Sequence, residues 1–194
     1  MADRMMNKGV FTKSLTDYLK GLIAPDYIML YLESMRKLSY YSDAKGGINR
    51  LISAFWRFKY RRLGLKLGFS IGYNVFGYGL VIPHYGTIVI GHSNVIGNYC
   101  VLHTSICISD NHKVIGNGLY CSTGVKMTSP LTLGNGISIG ANSVVNKSVE
   151  QDNVMIAGAP AKVIKSSIPW YERDGTSFKD RVLMVDKLKM DMGL

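Results

Sequence analysis

Ile90, Ile96, Leu102 and Ile108 recur every six residues, and so do Ile115, Cys121, Met127, Leu133, Ile139 and Val145. One step of seven, from Ile108 to Ile115, separates the two series. A glycine often follows: Gly91, Gly97, Gly116, Gly134 and Gly140. Four residues after the periodic position comes a small or apolar side chain: Cys100, Ile106, Leu119, Val125, Leu131, Ile137, Ser143 and Val149. A helix would repeat at 3.6 and a simple strand at 2.0, so neither explains a period of six. Short strands turning corners at fixed intervals do: the pattern predicts a β-helix. No single coil can bury its own face, so stacking must build the core.

Composition narrows the function. The 194 residues carry 23 Lys+Arg against 13 Asp+Glu, a net charge of +10, which favours an anionic partner. The charge is uneven. Residues 1–66 hold 13 basic and 5 acidic side chains, residues 67–165 hold 5 and 3, and residues 166–194 hold 5 and 5. No Asp or Glu occurs between Asp43 and Asp110. Three cysteines exclude a disulfide scaffold and point to a reducing, cytoplasmic setting. Neither a secretory leader nor a membrane-spanning apolar run is expected. No nucleic-acid motif accompanies the basic residues, so a nucleic-acid partner is not expected.

The expected organisation is a helical region over 1–66, a coil domain over 67–165 and a short helical tail over 166–194. Asp26 can cap the helix YIMLYLESMRKLSYY. A second helix is predicted from about Ile48 to Leu63, with Ile48, Leu51, Ile52, Phe55, Trp56, Tyr60 and Leu63 on one broad arc. Arg50, Arg57 and Arg61 fall together on the other side. They form either a solvated face or a docking surface for lipid headgroups or a phosphorylated carrier, giving peripheral membrane contact through the basic helices.

IGANSVVNKSV followed by AGAPAKVI (Ala157–Ile164) resembles the last coil and closing loop of hexapeptide-repeat acyltransferases. The resemblance covers about residues 67–165. It implies a left-handed parallel β-helix, a homotrimer with active sites between subunits, and acetyl-CoA as co-substrate; His84, His92, His103 and His112 show no metal-ligand pattern, so no metal is expected. The handedness comes from the resemblance alone, since ordinary parallel crossovers favour the other hand. IPHYGTIVIG (Ile82–Gly91) is most similar to the serine acetyltransferase branch, where a His at the place of His84 is the general base. An imidazole titrating near 6.5 suits that task. His84 stands six before Ile90, so a polar ring is expected at an inward position, with Leu102 stacked on it and His103 under Tyr85.

The departures concern charge. The acids that the branch places before and upstream of the base are Pro83 and Phe69 here, an acid after it is His92, and its carboxylate-binding Arg is Asn111. A zwitterionic acceptor would leave both its charges poorly paired. A neutral acceptor is therefore expected. SIGYNVFGYGLVIPHYGTIVI, with the helices before it, resembles the O-acetyltransferases of capsule and lipopolysaccharide assembly, and that resemblance implies a sugar hydroxyl as the acceptor. Tyr85, His103, Asn111 and His112 are the expected acceptor-side residues. His103 could equally line the acetyl channel or face a neighbouring subunit. Asn74, a backbone carbonyl or a neighbour's Asp110 could orient His84. The resemblance implies Ser122, Thr123, Gly140 and Ala141 along the CoA chain, with Lys147, Lys162 and Lys165 near its phosphates.

Two motifs are set aside. Gly136–Gly140 fits G-x-S-x-G, but its isoleucines keep the hexapeptide register and no helix follows, so Ser138 is not a nucleophile. The cysteines lack zinc-ligand spacing. Alternatives that remain are a serine O-acetyltransferase and a non-catalytic coil scaffold recruiting a glycan assembly complex.

Overall fold

The computed structural model describes residues 1–9 and 23–193. Part of the predicted helical region, residues 10–22, therefore lies outside the described residues. Among the described residues three helices come first: α1 (Ala2–Lys8), α2 (Tyr27–Asp43) and α3 (Gly47–Leu67). Asp26 caps α2, its carboxylate accepting from Met29 N at 3.1 Å. α3 runs beyond the predicted Leu63 and ends where Gly68 adopts φ 79°. Within it, Gly64 lets the helix touch the chain just beyond its end, because a Cβ there would stand 2.8 Å from the Phe69 carbonyl oxygen.

Thirteen short strands then wind a three-sided coil. The first sheet stacks β1 (Phe69–Ile71), β2 (Ile88–Ile90), β5 (Ile106–Ile108), β8 (Lys126–Met127) and β11 (Val144–Val145). The second stacks β3 (Val95–Ile96), β6 (Val114–Ile115) and β9 (Thr132–Leu133). The third stacks β4 (Val101–Leu102), β7 (Tyr120–Cys121), β10 (Ser138–Ile139), β12 (Val154–Gly158) and the antiparallel β13 (Ala161–Ser166). All other pairings are parallel. All ten side chains of the period of six are buried inside. So are all but Val149 of the eight at the second repeating position. Burying an aliphatic side chain contributes roughly 1.5–3 kcal/mol, so the repeat supplies the core coil by coil.

The recurrent Gly-Asn has its own cause. Along the edge between the second and third sheets, Asn98, Asn117, Asn135 and Asp152 form a ladder. Each side-chain oxygen accepts the backbone N–H one coil earlier, at 2.6–3.0 Å. A Cβ on Gly97 would lie 2.5 Å from the Asn117 oxygen, so glycine keeps the ladder open.

Helices close the first coil. Tyr31, Leu32, Met35 and Leu38 of α2 share one core with the coil. Tyr31 stacks on Tyr60 at 4.8 Å and meets Phe69 edge-on at 5.2 Å. The third sheet's outer face carries a second cluster. There Met5 and Met6 of α1 meet Trp170 of α4 (Trp170–Arg173) and Val182 and Val185 of α5 (Thr176–Asp191). Asp3 pins α1 in place, accepting from Gly79 N, Leu80 N and Arg36. The single apolar arc expected on α3 is divided: Tyr60 is buried and Ile52, Trp56 and Leu63 half-buried, whereas Ile48, Leu51 and Phe55 face outward.

Candidate functional site

Coil register decides where each candidate side chain sits. Val81 stands over Val101, and Ile90 over Ile108. The first coil is therefore two residues longer than the second across this corner. The extra residues fall around Pro83, His84 and Tyr85, which are exposed, with Gly86 at φ 142°. This corrects the inward position expected for His84. Ile82, two residues earlier, takes the buried place, and the bulge turns His84 outward. Leu102 accordingly packs with Ile82 rather than beneath His84, since Val81 pairs with Val101. His103, below Tyr85 in register, also lies beside His84, ring centres 6.4 Å apart.

The edge between the third and first sheets continues downward from His84. Tyr85 and Gly86 give way to His103 and Thr104, then Ser122 and Thr123, then Gly140 and Ala141. Thr104 and Thr123 hydroxyls are 3.2 Å apart, and Thr123 Oγ1 donates to the Thr104 carbonyl at 2.9 Å. Gly140 is held by its N–H to the Ile156 carbonyl, 2.9 Å. Lys162, on β13 opposite Ala157, reaches the foot of this edge, and Lys165 lies farther along β13 opposite Met155. The structure thus gathers His84, Tyr85, His103, Ser122, Thr123, Gly140 and Ala141 on one edge, with Lys162 at its end.

Asn111, His112 and Lys147 occupy a different edge, between the first and second sheets. His112 sits in the step of seven, at φ 45°, its N–H donating to Ser93 Oγ at 3.1 Å. Asp110 accepts from Ser93 N at 2.6 Å, and the Ser93 hydrogen bonds hold its carboxyl below the usual range. Lys113, the next residue in, is buried with Nζ donating to Ser109 O and Oγ; burial lowers its pKa. A side of about six residues separates the two edges by up to about 20 Å. One chain therefore does not bring His112 to His84.

Sequence reasoning missed the residues behind His103. Its Nε2 is 2.9 Å from Tyr120 OH. Arg173 stacks over the Tyr120 ring at 4.7 Å, donates to Ser138 Oγ at 2.9 Å and pairs with Asp174 at 2.7 Å. Burial, then the nearby His84, lower the His103 pKa, while Asp174 opposes them. Burial and Asp174 raise that of Tyr120. Arg173 and Asp174 come from beyond the closing loop, where no repeat marks them. Ser138 is buried beneath Arg173, its hydroxyl accepting from the guanidinium. Neither Asn74 nor the same chain's Asp110 bonds the His84 ring among the described residues. Phe69 points into the core against Tyr31. Cys100 and Cys121 are buried, Cys107 half-buried, and all three are free. Among the described residues no three His, Cys, Asp or Glu side chains converge as a metal site.

No protein-family model matches the chain. It is 26% identical over 123 residues to serine acetyltransferase of Synechococcus elongatus, covering 59% of this chain and 50% of that protein. It is 44% identical over 52 residues to the putative lipopolysaccharide biosynthesis O-acetyl transferase WbbJ of Escherichia coli, covering 27% and 26%. Among solved structures, a serine acetyltransferase in complex with CoA superposes with a TM-score of 0.60 at 22% identity, covering 75% of this chain and 60% of that one. The chain spans about half the length of the first of these relatives. The architecture is the left-handed hexapeptide β-helix, and the sequence is serine acetyltransferase-like.

Proposed function

We propose that this serine acetyltransferase-like β-helix is an acetyl-CoA-dependent O-acetyltransferase acting on a sugar hydroxyl of a surface polysaccharide. The observation that carries the reading is the edge on which His84 stands above an open run of Thr104, Thr123, Gly140 and Ala141. That run has the small side chains and accessible backbone that an extended pantetheine arm needs, and Lys162 at its foot suits a phosphate. The likeness to a serine acetyltransferase solved with CoA supports the same co-substrate.

In the proposed reaction His84 removes the acceptor hydroxyl's proton as the oxygen attacks the thioester carbonyl. The C–O bond forms, the C–S bond breaks, and the imidazolium returns the proton to the departing thiolate. No acyl-enzyme intervenes. Tyr85 and His103 flank the reacting centre. Asn111 and His112 reach it only from a neighbouring subunit, because the two edges are a full side apart; the proposed trimer supplies that neighbour.

The neutral acceptor rests on what stands where serine enzymes carry acids. Pro83 is beside His84, and Phe69 is buried in the aromatic contact that anchors α2. The similarity to WbbJ supports a sugar, while the similarity to serine acetyltransferases favours L-serine as the second reading. Thiol release from acetyl-CoA separates them. Turnover with sugar acceptors and little with L-serine is expected; efficient turnover with L-serine overturns the sugar reading. Failure to bind CoA favours a non-catalytic scaffold.

A further inference from the structure

α3 has two faces, and the fold uses one. Ser53, Tyr60, Gly64 and Leu67 are buried. On the far side Leu65 is 85% exposed, Ile48 76%, Leu51 74%, Phe58 60% and Phe55 59%. At about 100° per residue these five span an arc of about 100°, roughly opposite the buried one. Scattered exposed apolar residues are ordinary; five on one helical stripe are not.

The charges beside the stripe share one sign. Arg50, Arg57 and Arg61 line one margin, Lys59 and Lys66 the other, and Arg62 interrupts it. α3 contains no Asp or Glu. The ion pairs among the described residues are Lys8–Asp26, Arg36–Asp3, Lys37–Glu33 and Arg173–Asp174, so none reaches α3. Beside the arginine margin lies an open groove of about 930 Å³ whose charged lining is Lys45, Arg50, Arg57 and Arg61 against the single acid Asp43, so it stays strongly cationic. Arg57 stacks on Tyr73 at 5.5 Å.

We propose that this face of α3 docks on an anionic lipid bilayer, the helix lying in the headgroup plane with the arginine groove seating a lipid phosphate. Charge complementarity selects this occupant. A second copy laid on the stripe would bring two acid-free cationic helices together at the contact. A bilayer offers hydrocarbon to the Leu and Phe side chains at a depth of about 5–10 Å, and phosphates to both cationic margins. Each lysine or arginine held near such a surface strengthens binding about fivefold. The C-terminal end of α3 abuts the acetyl-transfer edge, where Gly86 N donates to the Leu67 carbonyl at 2.9 Å, but neither the arginine groove nor Leu51, Phe55 and Phe58 belongs to that edge, so the proposal holds whatever the acceptor is.

The test is co-sedimentation of the full chain with vesicles of phosphatidylcholine alone or of an equimolar mixture with phosphatidylglycerol. Binding to the mixed vesicles only, weakening as salt is raised, is expected. The triple variant Arg50→Gln/Arg57→Gln/Arg61→Gln should bind about a hundredfold less. Leu51→Ser/Phe55→Ser/Phe58→Ser should lose about tenfold or more. Both should keep the parent's mass by light scattering and its thiol release from acetyl-CoA. No binding by the parent chain, or unchanged binding by both variants, overturns the proposal. A fall in oligomeric mass in the apolar variant also overturns it, by assigning the face to a second copy.

Discussion

Tyr120 OH lies 2.9 Å from His103 Nε2, tying an edge imidazole to a tyrosine of the third sheet's outer face. That tyrosine is held by the stacked Arg173. Tyr120→Phe removes one hydrogen bond and leaves the ring in place. A stability loss of about 1 kcal/mol is expected in urea unfolding. The His103 imidazole resonances should shift and its titration should change, while those of His112, on another edge, stay put.

Acid should destabilise the protein through His103. Its pKa lies below 6.5 in the fold, so the unfolded chain binds more protons between the folded value and 6.5. The cost is nil above that window and full below it, so stability falls as pH drops through it. His103→Gln should flatten this part of the Tm-against-pH curve; an unchanged curve would remove His103 as the source.

His84→Ala should lower turnover by about 10²–10⁴-fold, the contribution of a positioned general base. The residue is exposed on a bulge, so folding and oligomeric mass should be unaffected. Activity equal to the parent's would exclude His84 as the base.

Gly97 and Gly47 should respond in opposite ways to alanine. A Cβ on Gly97 meets the Asn117 oxygen at 2.5 Å and backbone at 2.8 Å, so the coils must part. A Cβ on Gly47, in the first turn of α3, meets nothing within 4 Å. Gly47→Ala should stabilise by up to about 1 kcal/mol, and Gly97→Ala should destabilise by about 1–3 kcal/mol, both read from denaturant midpoints.

Lys113→Met should leave stability unchanged or raise it. The Nζ donates to Ser109 O and Oγ, with Asp110 the nearby acid that partly offsets its burial, and a methionine keeps the stem while removing a buried charge. Because burial lowers the lysine pKa, the parent should gain stability as pH rises towards 10.5, and the variant should lack that gain.

Much of this molecule is local, and so was readable along the chain. A period of six states which side chains point inward, and every periodic residue from Ile90 to Val145 is buried. Asp26 capped its helix as its position predicts. The recurrent glycines were visible too, although the asparagine ladder they make room for is a relation between coils.

What the tertiary structure alone decided is which residues meet. Neighbours on an edge lie about eighteen residues apart, and inserted residues loop out at a corner while the strands after them keep their sheet and register. The two extra residues near His84 put Ile82 inside and the imidazole outside, against the count of six. His112 falls at the corner between the first and second sheets, a full side from His84, and the step of seven only adds one residue there. Arg173 and Asp174 reach Tyr120 only because the chain doubles back over the third sheet after its last coil. Inward or outward follows from residue spacing; shared edges follow from pairing register, which is settled when the coils stack.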